Sequence, residues 1–254
     1  MIFDAHAHYD DPAFDVDRDE LLKSMPEKGV GYIVNAGSDI ASSEASVELA
    51  HRWDFIWAAV GVHPHEAKSW DEASEKRLSE LMAEKKVVAV GEIGLDYHYD
   101  LSPREVQKSV FRRQLELARD AGLPVVIHER EALEDTLKII RDFPEIRGMF
   151  HCFSGSPETA AELVKAGWYI SLGGAVTFKN AKKAPAVLEK IPADRLILET
   201  DCPYMAPVPF RGKRNDSTMI HIVAGKAALL RGGSAEEIER LTCRNAVRLF
   251  GERM

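Results

Sequence analysis

The chain has 254 residues, the size of one large α/β domain and too few for two average domains. With 45% hydrophobic and 29% charged residues, it is neither disordered nor collagen-like. The 41 acidic and 33 basic residues give a formal net charge of −8. A surface of that sign repels polyanions, so a nucleic acid partner must be held by a local patch.

The three cysteines, Cys152, Cys202 and Cys243, are far apart and form no CxxC pair. This spacing argues against a disulfide framework and against a cysteine-based zinc ribbon. The first residues contain neither a basic segment nor a long apolar stretch, so we expect no signal peptide and no membrane span. The sequence therefore predicts a cytoplasmic protein.

Eight short apolar runs alternate with helical patterns along the chain. The run Val87-Val88-Ala89-Val90 is apolar on both faces, which is typical of a parallel strand covered by helices. The predicted strands are Met1–Ala5, Val30–Ala36, Ile56–Val62, Val87–Ile93, Pro124–His128, Gly148–Phe153, Trp168–Leu172 and Leu196–Thr200.

Capping residues and glycines predict several helix boundaries. Ser102-Pro103-Arg104-Glu105 has the spacing of a capping box, Gly122 ends that helix, and Ser156-Pro157 begins another. A further helix is predicted from Ser234 to Phe250. The alternation predicts one α/β domain over residues 1–254, a (β/α)8 TIM barrel with an extra C-terminal helix. An open doubly wound sheet remains an alternative, because a strand count does not prove closure.

Six of the eight predicted strands end in residues that bind metals. Catalytic residues of such barrels lie at the carboxyl ends of the strands, so these positions indicate function. The residues are His6 and His8, His63 and His65, Glu92, His128, His151 and Asp201. His6 and His8 are two apart on a strand, so their rings point to the same side. By itself the His6–His8 pair is equally compatible with a structural role, and a lone His128 or His151 is more often structural. Glu92 and Asp201 could each instead cap the next helix.

Four imidazoles and two carboxylates are more ligands than one tetrahedral site can use. The sequence therefore predicts two divalent metal ions, with a carboxylate able to bridge them. Imidazole and carboxylate ligands suit zinc, manganese, cobalt or nickel ions, whereas Mg²⁺ prefers more oxygen ligands. The sequence leaves the metal's identity open.

Cationic residues follow two of the predicted strands. Arg211, Lys213 and Arg214 lie within four residues on a loop after the last strand, where they are placed to bind phosphate. Arg130 follows His128 and is a further candidate anion contact. A solvated loop without a ligand is the alternative.

The ordered motifs of this chain resemble those of the TatD-type metal-dependent deoxyribonucleases. The resemblance runs from end to end and predicts an amidohydrolase-like barrel. The matching segments are Phe3-Asp4-Ala5-His6-Ala7-His8, Gly61-Val62-His63-Pro64-His65, Gly91-Glu92-Ile93-Gly94-Leu95-Asp96-Tyr97, Pro124-Val125-Val126-Ile127-His128, His151-Cys152-Phe153-Ser154-Gly155, Glu199-Thr200-Asp201-Cys202-Pro203-Tyr204 and Arg211-Gly212-Lys213-Arg214-Asn215.

The resemblance also implies a ligand set and a reaction. One metal is expected at His6, His8, Glu92 and Asp201, and the other at Glu92, His128 and His151. The implied activity is hydrolysis of DNA phosphodiesters, from the 3′ end of single strands, with Mg²⁺, Mn²⁺ or Zn²⁺.

The chain departs from the family pattern near the predicted substrate site. Phe210 stands where many relatives have histidine, Asp216 lies in an altered Asn215-Asp216-Ser217 segment, and Glu129 replaces a frequent serine. The predicted metal ligands are unaffected, but these departures leave substrate preference open.

The predicted mechanism is water attack on a phosphodiester, with Asp201 as the base and Glu92 as the bridging ligand. The predicted substrate contacts are His63, His65, Arg130, Arg211 and Lys213. The two histidines could equally form hydrogen bonds to the metal ligands instead. DNA is the predicted partner, and no association with a membrane is expected. The sequence does not determine the oligomeric state, and a monomer is compatible with it.

Two other functions are weighed against this one. A carbon-centred hydrolase of cyclic amides, lactones or aminoacyl esters is the enzymatic alternative, although Lys85 and Lys86 precede strand four and Glu92 ends it. Many such barrels instead have a carboxylated lysine at that strand end. A metal-holding barrel without catalysis is the third possibility, and the presence of Asp201 and the cationic loop argues against it.

Overall fold

The computed structural model describes residues 1–254, with eight strands each followed by a helix and a ninth helix at the end. The strands are β1 Ile2–Ala7, β2 Val30–Ala36, β3 Ile56–Val60, β4 Val87–Asp96, β5 Val125–Arg130, β6 Gly148–Phe150, β7 Tyr169–Leu172 and β8 Leu196–Leu198. The helices are α1 Arg18–Ser24, α2 Ile40–Arg52, α3 Glu72–Met82, α4 Arg104–Ala121, α5 Leu133–Ile140, α6 Pro157–Lys165, α7 Lys183–Lys190, α8 Ile220–Arg231 and α9 Ala235–Phe250.

The strands form one sheet in the chain order β1 to β8. A doubly wound sheet reverses its strand order at a switch point, and no reversal occurs here. Ala7 at the end of β1 forms a parallel bridge to Cys202, just beyond β8. The predicted (β/α)8 barrel with an extra C-terminal helix is therefore confirmed.

The chain divides into two compact units. The first contains Met1–Asn35 and His151–Arg248, and the second contains Ala36–Phe150 and Leu249–Met254. The single domain expected over residues 1–254 stays a prediction. No helix combines the length and the apolar character needed to cross a membrane.

In the first unit, a buried hydrogen-bond network joins β1 to the segment after β8. The Asp4 carboxylate accepts from the backbone N–H of Thr200 (2.9 Å) and from the Ser217 hydroxyl (2.7 Å). The backbone continues this pairing, because Asp201 N–H donates to the His6 carbonyl (2.9 Å). These bonds fix the end of β1 beside the segment that carries Asp201.

In the second unit, β4 is buried along its whole length and pairs in parallel with β3 and β5. Gly94 pairs with His128 at the carboxyl end of β4 and has φ of +146°. A Cβ at Gly94 would lie 1.9 Å from the His128 carbonyl oxygen. Only glycine permits the two strands to approach this closely.

One predicted helix start differs from the structure. Helix α4 begins at Arg104 and has no side-chain cap, so the capping box predicted at Ser102 is wrong. The Ser102 hydroxyl instead donates to the His65 carbonyl (2.8 Å) and accepts from Lys68 N–H (3.1 Å). Ser102 therefore holds the segment after β3. Gly122 ends α4 in the left-handed conformation, as predicted.

Candidate metal centre

His6, His8 and Asp201 converge at the carboxyl ends of β1 and β8. His6 Nε2 lies 3.0 Å from His8 Nε2, and these two atoms lie 3.6 Å and 3.4 Å from Asp201 Oδ1. The centre of that triangle is about 1.9 Å from each atom, close to the Zn–N distance of about 2.0–2.1 Å. Two ring nitrogens and a carboxylate oxygen therefore fit a divalent metal ion.

The backbone aims Asp201 at this point. Asp201 has φ of +58°, an uncommon conformation for a residue with a side chain, and no helix begins next to it. The helix-capping alternative is therefore wrong. Burial raises the pKa of Asp201, but the hydrogen bond from His8 and the charges of His151 and His6 outweigh it and lower the pKa. The carboxylate is ionised at neutral pH.

His151 lies in the same unit, directly after β6. Its ring stacks on the His6 ring with centroids 4.0 Å apart. Its Nδ1 lies 3.5 Å from Oε1 of Glu199, a fully buried carboxylate that also accepts the Cys152 backbone N–H. A carboxylate beside one ring nitrogen orients the other nitrogen toward a metal. Sequence reasoning missed Glu199, because burial of an acid inside an apolar strand end has no local signal.

Glu92 and His128 form a second cluster, in the second unit. Glu92 Oε1 lies 2.7 Å from His128 Nδ1 and 3.4 Å from His63 Nε2. The three side chains offer ligand atoms within 4.8 Å of one another, and the Glu92 side chain is 6% exposed. The Glu92 carboxylate and the His128 imidazole are donor types that suit a divalent ion.

His63 is held as a hydrogen-bond donor toward Glu92. Its Nδ1 accepts the backbone N–H of His65 (3.2 Å), which leaves Nε2 to carry the ring hydrogen. Burial lowers the pKa of His63 to about 4, so the ring is neutral at physiological pH. This geometry favours a hydrogen bond from His63 to the proposed ligand Glu92 over direct contact of His63 with substrate.

Asp96, at the end of β4, was missed by sequence reasoning. Its Oδ2 lies 2.8 Å from His65 Nε2 and 3.1 Å from His128 Nε2. Burial raises the pKa of Asp96, but hydrogen bonds from His128, the Tyr99 backbone and His65 outweigh it and hold the pKa well below its usual range. The available signal was its spacing of four from Glu92, which places both on one side of an extended strand.

The predicted cationic contacts have different surroundings. The Arg211 guanidinium lies 4.4 Å from the Phe178 ring centroid, and Arg130 lies 4.8 Å from the Tyr99 ring centroid. Lys213 is exposed. Arg214 forms a bidentate pair with Asp17 (2.7 and 2.6 Å), which gives it a structural partner.

The departures from the family pattern lie on the loop after β8. Phe210 is 45% exposed, and Asp216 accepts from Thr218 N–H (2.9 Å). Asn215 donates to the carbonyls of Thr200 (2.9 Å) and Tyr204 (2.8 Å). Asn215 and Asp216 therefore stabilise the loop, whereas the Phe210 ring is exposed to solvent.

A family model described as TatD related DNase matches residues 3–251. The chain belongs to the TatD-related DNase family. It is 45% identical to the metal-dependent hydrolase YabD of Bacillus subtilis, over 98% of this chain and 99% of that protein. It is 35% identical to the 3′-5′ ssDNA/RNA exonuclease TatD of Cronobacter sakazakii, over 98% of this chain and 97% of that one.

A solved TatD family structure has the same fold. The TatD homologue YjjV of Escherichia coli K12 superposes with a TM-score of 0.92 at 32% identity, covering 98% of each chain. The family membership and the candidate metal clusters identify this chain as a metal-dependent hydrolase. The predicted family and enzyme class are thereby confirmed.

Proposed function

We propose that the chain is a 3′-5′ exonuclease that hydrolyses single-stranded DNA with two divalent metal ions. The observation that carries the proposal is the triangle of His6, His8 and Asp201, whose three ligand atoms surround a point at metal-binding distance. The family membership and the exonuclease relative from Cronobacter sakazakii support the choice of substrate.

In this proposal the two clusters form one binuclear site. His6, His8 and Asp201 would hold one ion, His128 and His151 would hold the other, and Glu92 would be available to both. His6, Glu92 and His128 lie in the carboxyl-terminal halves of β1, β4 and β5, and His8, His151 and Asp201 follow β1, β6 and β8. Parallel strands of one barrel sheet present these ends at the same edge. Bound divalent ions supply Lewis acidity, which lowers the pKa of water and neutralises phosphate charge.

Asp201 is the proposed base. Its Oδ1 faces His6 and His8, which leaves Oδ2 to accept the proton of the attacking water. The lowered pKa of Asp201 keeps it deprotonated before each turnover. Water thus enters the reaction oriented by a carboxylate that is itself fixed by two imidazoles.

Substrate contacts are proposed on the loop after β8 and around β5. Arg211, Lys213 and Arg130 pair with phosphate oxygens, and His65 is retained as a polar contact. Two aromatic rings on the same loop are exposed, Tyr204 (56%) and Phe210 (45%), and bases of a single strand can stack on them. The centroids of the Tyr204 and His8 rings are 6.5 Å apart, which places this ring next to a proposed ligand.

The carbon-centred alternative is disfavoured by the lysines near β4. Lys86 precedes the strand, and its Nζ donates to the carbonyls of Trp53 (3.3 Å) and Asp54 (2.9 Å) and lies 4.2 Å from the Trp57 ring centroid. It is therefore engaged at the amino end of β4. The carboxyl end holds Glu92, so no lysine stands where a carboxylated lysine would bridge metals.

The experiment is a timed product ladder from 5′-labelled DNA and RNA oligomers, single- and double-stranded, with Mg²⁺, Mn²⁺ or Zn²⁺ and with chelator. Stepwise shortening of single-stranded DNA that requires added metal is expected. Internal cleavage would refute the exonuclease assignment. Absence of metal-dependent digestion at micromolar enzyme would refute the nuclease assignment.

A further inference from the structure

The Asp96 carboxylate is shared by two histidines beside the second cluster. It is 1% exposed, and its Oδ2 lies 2.8 Å from His65 Nε2 and 3.1 Å from His128 Nε2. Its Oδ1 accepts the backbone N–H groups of His98 and Tyr99, both at 2.9 Å. Every one of these four partners is placed to donate.

The contact with Asp96 fixes a hydrogen on Nε2 of His128. An ionised carboxylate only accepts hydrogen bonds, so His128 Nε2 must donate to Asp96. Nδ1 lies 2.7 Å from Glu92 Oε1, so by the same argument it donates a second ring hydrogen to Glu92 when no metal is bound. A metal shared with Glu92 would displace that second hydrogen, because Asp96 holds the hydrogen on Nε2, and Nδ1 is therefore the atom that His128 offers to the metal.

We infer that Asp96 is a positioning residue that holds His128 in the Nε2–H tautomer and presents Nδ1 to the metal. The inference rests on the proposed function, because it assigns a role to a ligand of that site. Histidine ligands of metals generally donate their second ring N–H to a carboxylate, a carbonyl or water. Asp96 Oδ2 supplies that acceptor and, through the same oxygen, fixes His65 as an Nε2–H donor.

Asp96→Asn tests the inference with almost no change of volume. Two backbone N–H groups converge at the Oδ1 position, so the amide oxygen of the new side chain occupies it. The amide NH₂ then faces His128 Nε2, and two donors oppose each other. Loss of the Nε2 hydrogen relieves the conflict, but the hydrogen that then remains on Nδ1, facing Glu92, occupies the nitrogen that binds metal.

Two measurements follow this change without a nuclease assay. Nitrogen-15 NMR of the histidine rings in the metal-free protein reports which ring nitrogen is protonated, and calorimetric titration with Zn²⁺ reports the affinity of each site. We expect protonated Nε2 of His128 in the wild type and unprotonated Nε2 in Asp96→Asn. One of the resolved Zn²⁺ sites should then bind about 10–100-fold more weakly in the variant.

Asp100→Asn is the matched control. Asp100 follows Asp96 by four residues, and its exposed carboxylate pairs with Arg104 (3.0 Å) outside the histidine network. The control removes the same charge and should leave the His128 tautomer and both Zn²⁺ affinities unchanged.

An unprotonated His128 Nε2 in the wild type would overturn the inference, and this spectrum suffices even if Asp96→Asn fails to fold. A folded Asp96→Asn variant with wild-type tautomer and Zn²⁺ affinity would overturn it as well. A wild-type protein that shows the expected tautomer and Zn²⁺ binding but hydrolyses no DNA would instead contradict the proposed function alone.

Discussion

Gly94→Ala combines a clash with a neighbouring backbone and a backbone conformation that favours glycine, so we expect a large effect from a single methyl group. The added Cβ would lie 1.9 Å from the His128 carbonyl oxygen and 2.9 Å from its carbonyl carbon, both backbone atoms that cannot rotate away. To reach even 3.0 Å, β4 and β5 must separate by about 1 Å, at the position where Gly94 pairs with His128.

Two costs combine in this variant. A backbone conformation that suits only glycine costs about 1–3 kcal/mol for alanine. Forced separation of two buried, packed strands adds about 1–3 kcal/mol or more. We therefore expect Gly94→Ala to lower the unfolding free energy by about 2–6 kcal/mol and to weaken Zn²⁺ binding, since His128 moves with its backbone.

Gly122→Ala separates the two costs. Gly122 also has positive φ (+66°), but a Cβ there meets nothing within 4 Å. Its unfolding free energy should fall by only about 1–2 kcal/mol. Urea unfolding of both variants, followed by circular dichroism, measures the difference. If Gly94→Ala were no less stable than Gly122→Ala, the close approach of β4 and β5 would be refuted.

Three further predictions concern the proposed reaction. Arg211→Ala with Lys213→Ala should raise KM for single-stranded DNA and reduce the slope of log affinity against log salt by about 0.7 for each phosphate that is no longer neutralised; an unchanged slope would remove both residues from the substrate site. Asp201→Asn should lower kcat by about 10²–10⁴-fold at saturating metal while the fold persists, as judged by thermal unfolding, and near-normal turnover would contradict its role as base. Chelation should abolish hydrolysis and Mn²⁺ should restore it, so activity that persists in metal-free protein would contradict metal dependence.

The alternation of strands and helices could be predicted because its signals are local. Apolar runs such as Val87–Val90 and the left-handed Gly122 specify their elements without help from distant residues. The ends of elements were less predictable. Strand β4 continues three residues beyond the predicted end at Ile93, to Asp96, because its pairing with β5 extends to Arg130.

The acidic side chains that contact the histidines of the site could not be predicted in the same way. Asp96 reaches His65 and His128, which are 31 and 32 residues away in sequence, and Glu199 lies beside His151 across 48 residues. Such pairs are set by strand register and by the loops after the strands, and the one-dimensional pattern contains neither. The metal-binding types themselves were visible, because six strand ends carried them.

The most direct test of the central claim is a crystal structure of the protein grown with Mn²⁺ or Zn²⁺ and measured at the metal's absorption edge. Two anomalous peaks about 3.5–4 Å apart are expected, one at His6, His8 and Asp201, the other at His128 and His151, with Glu92 contacting both. A single peak, or two peaks without Glu92 between them, would contradict the binuclear site.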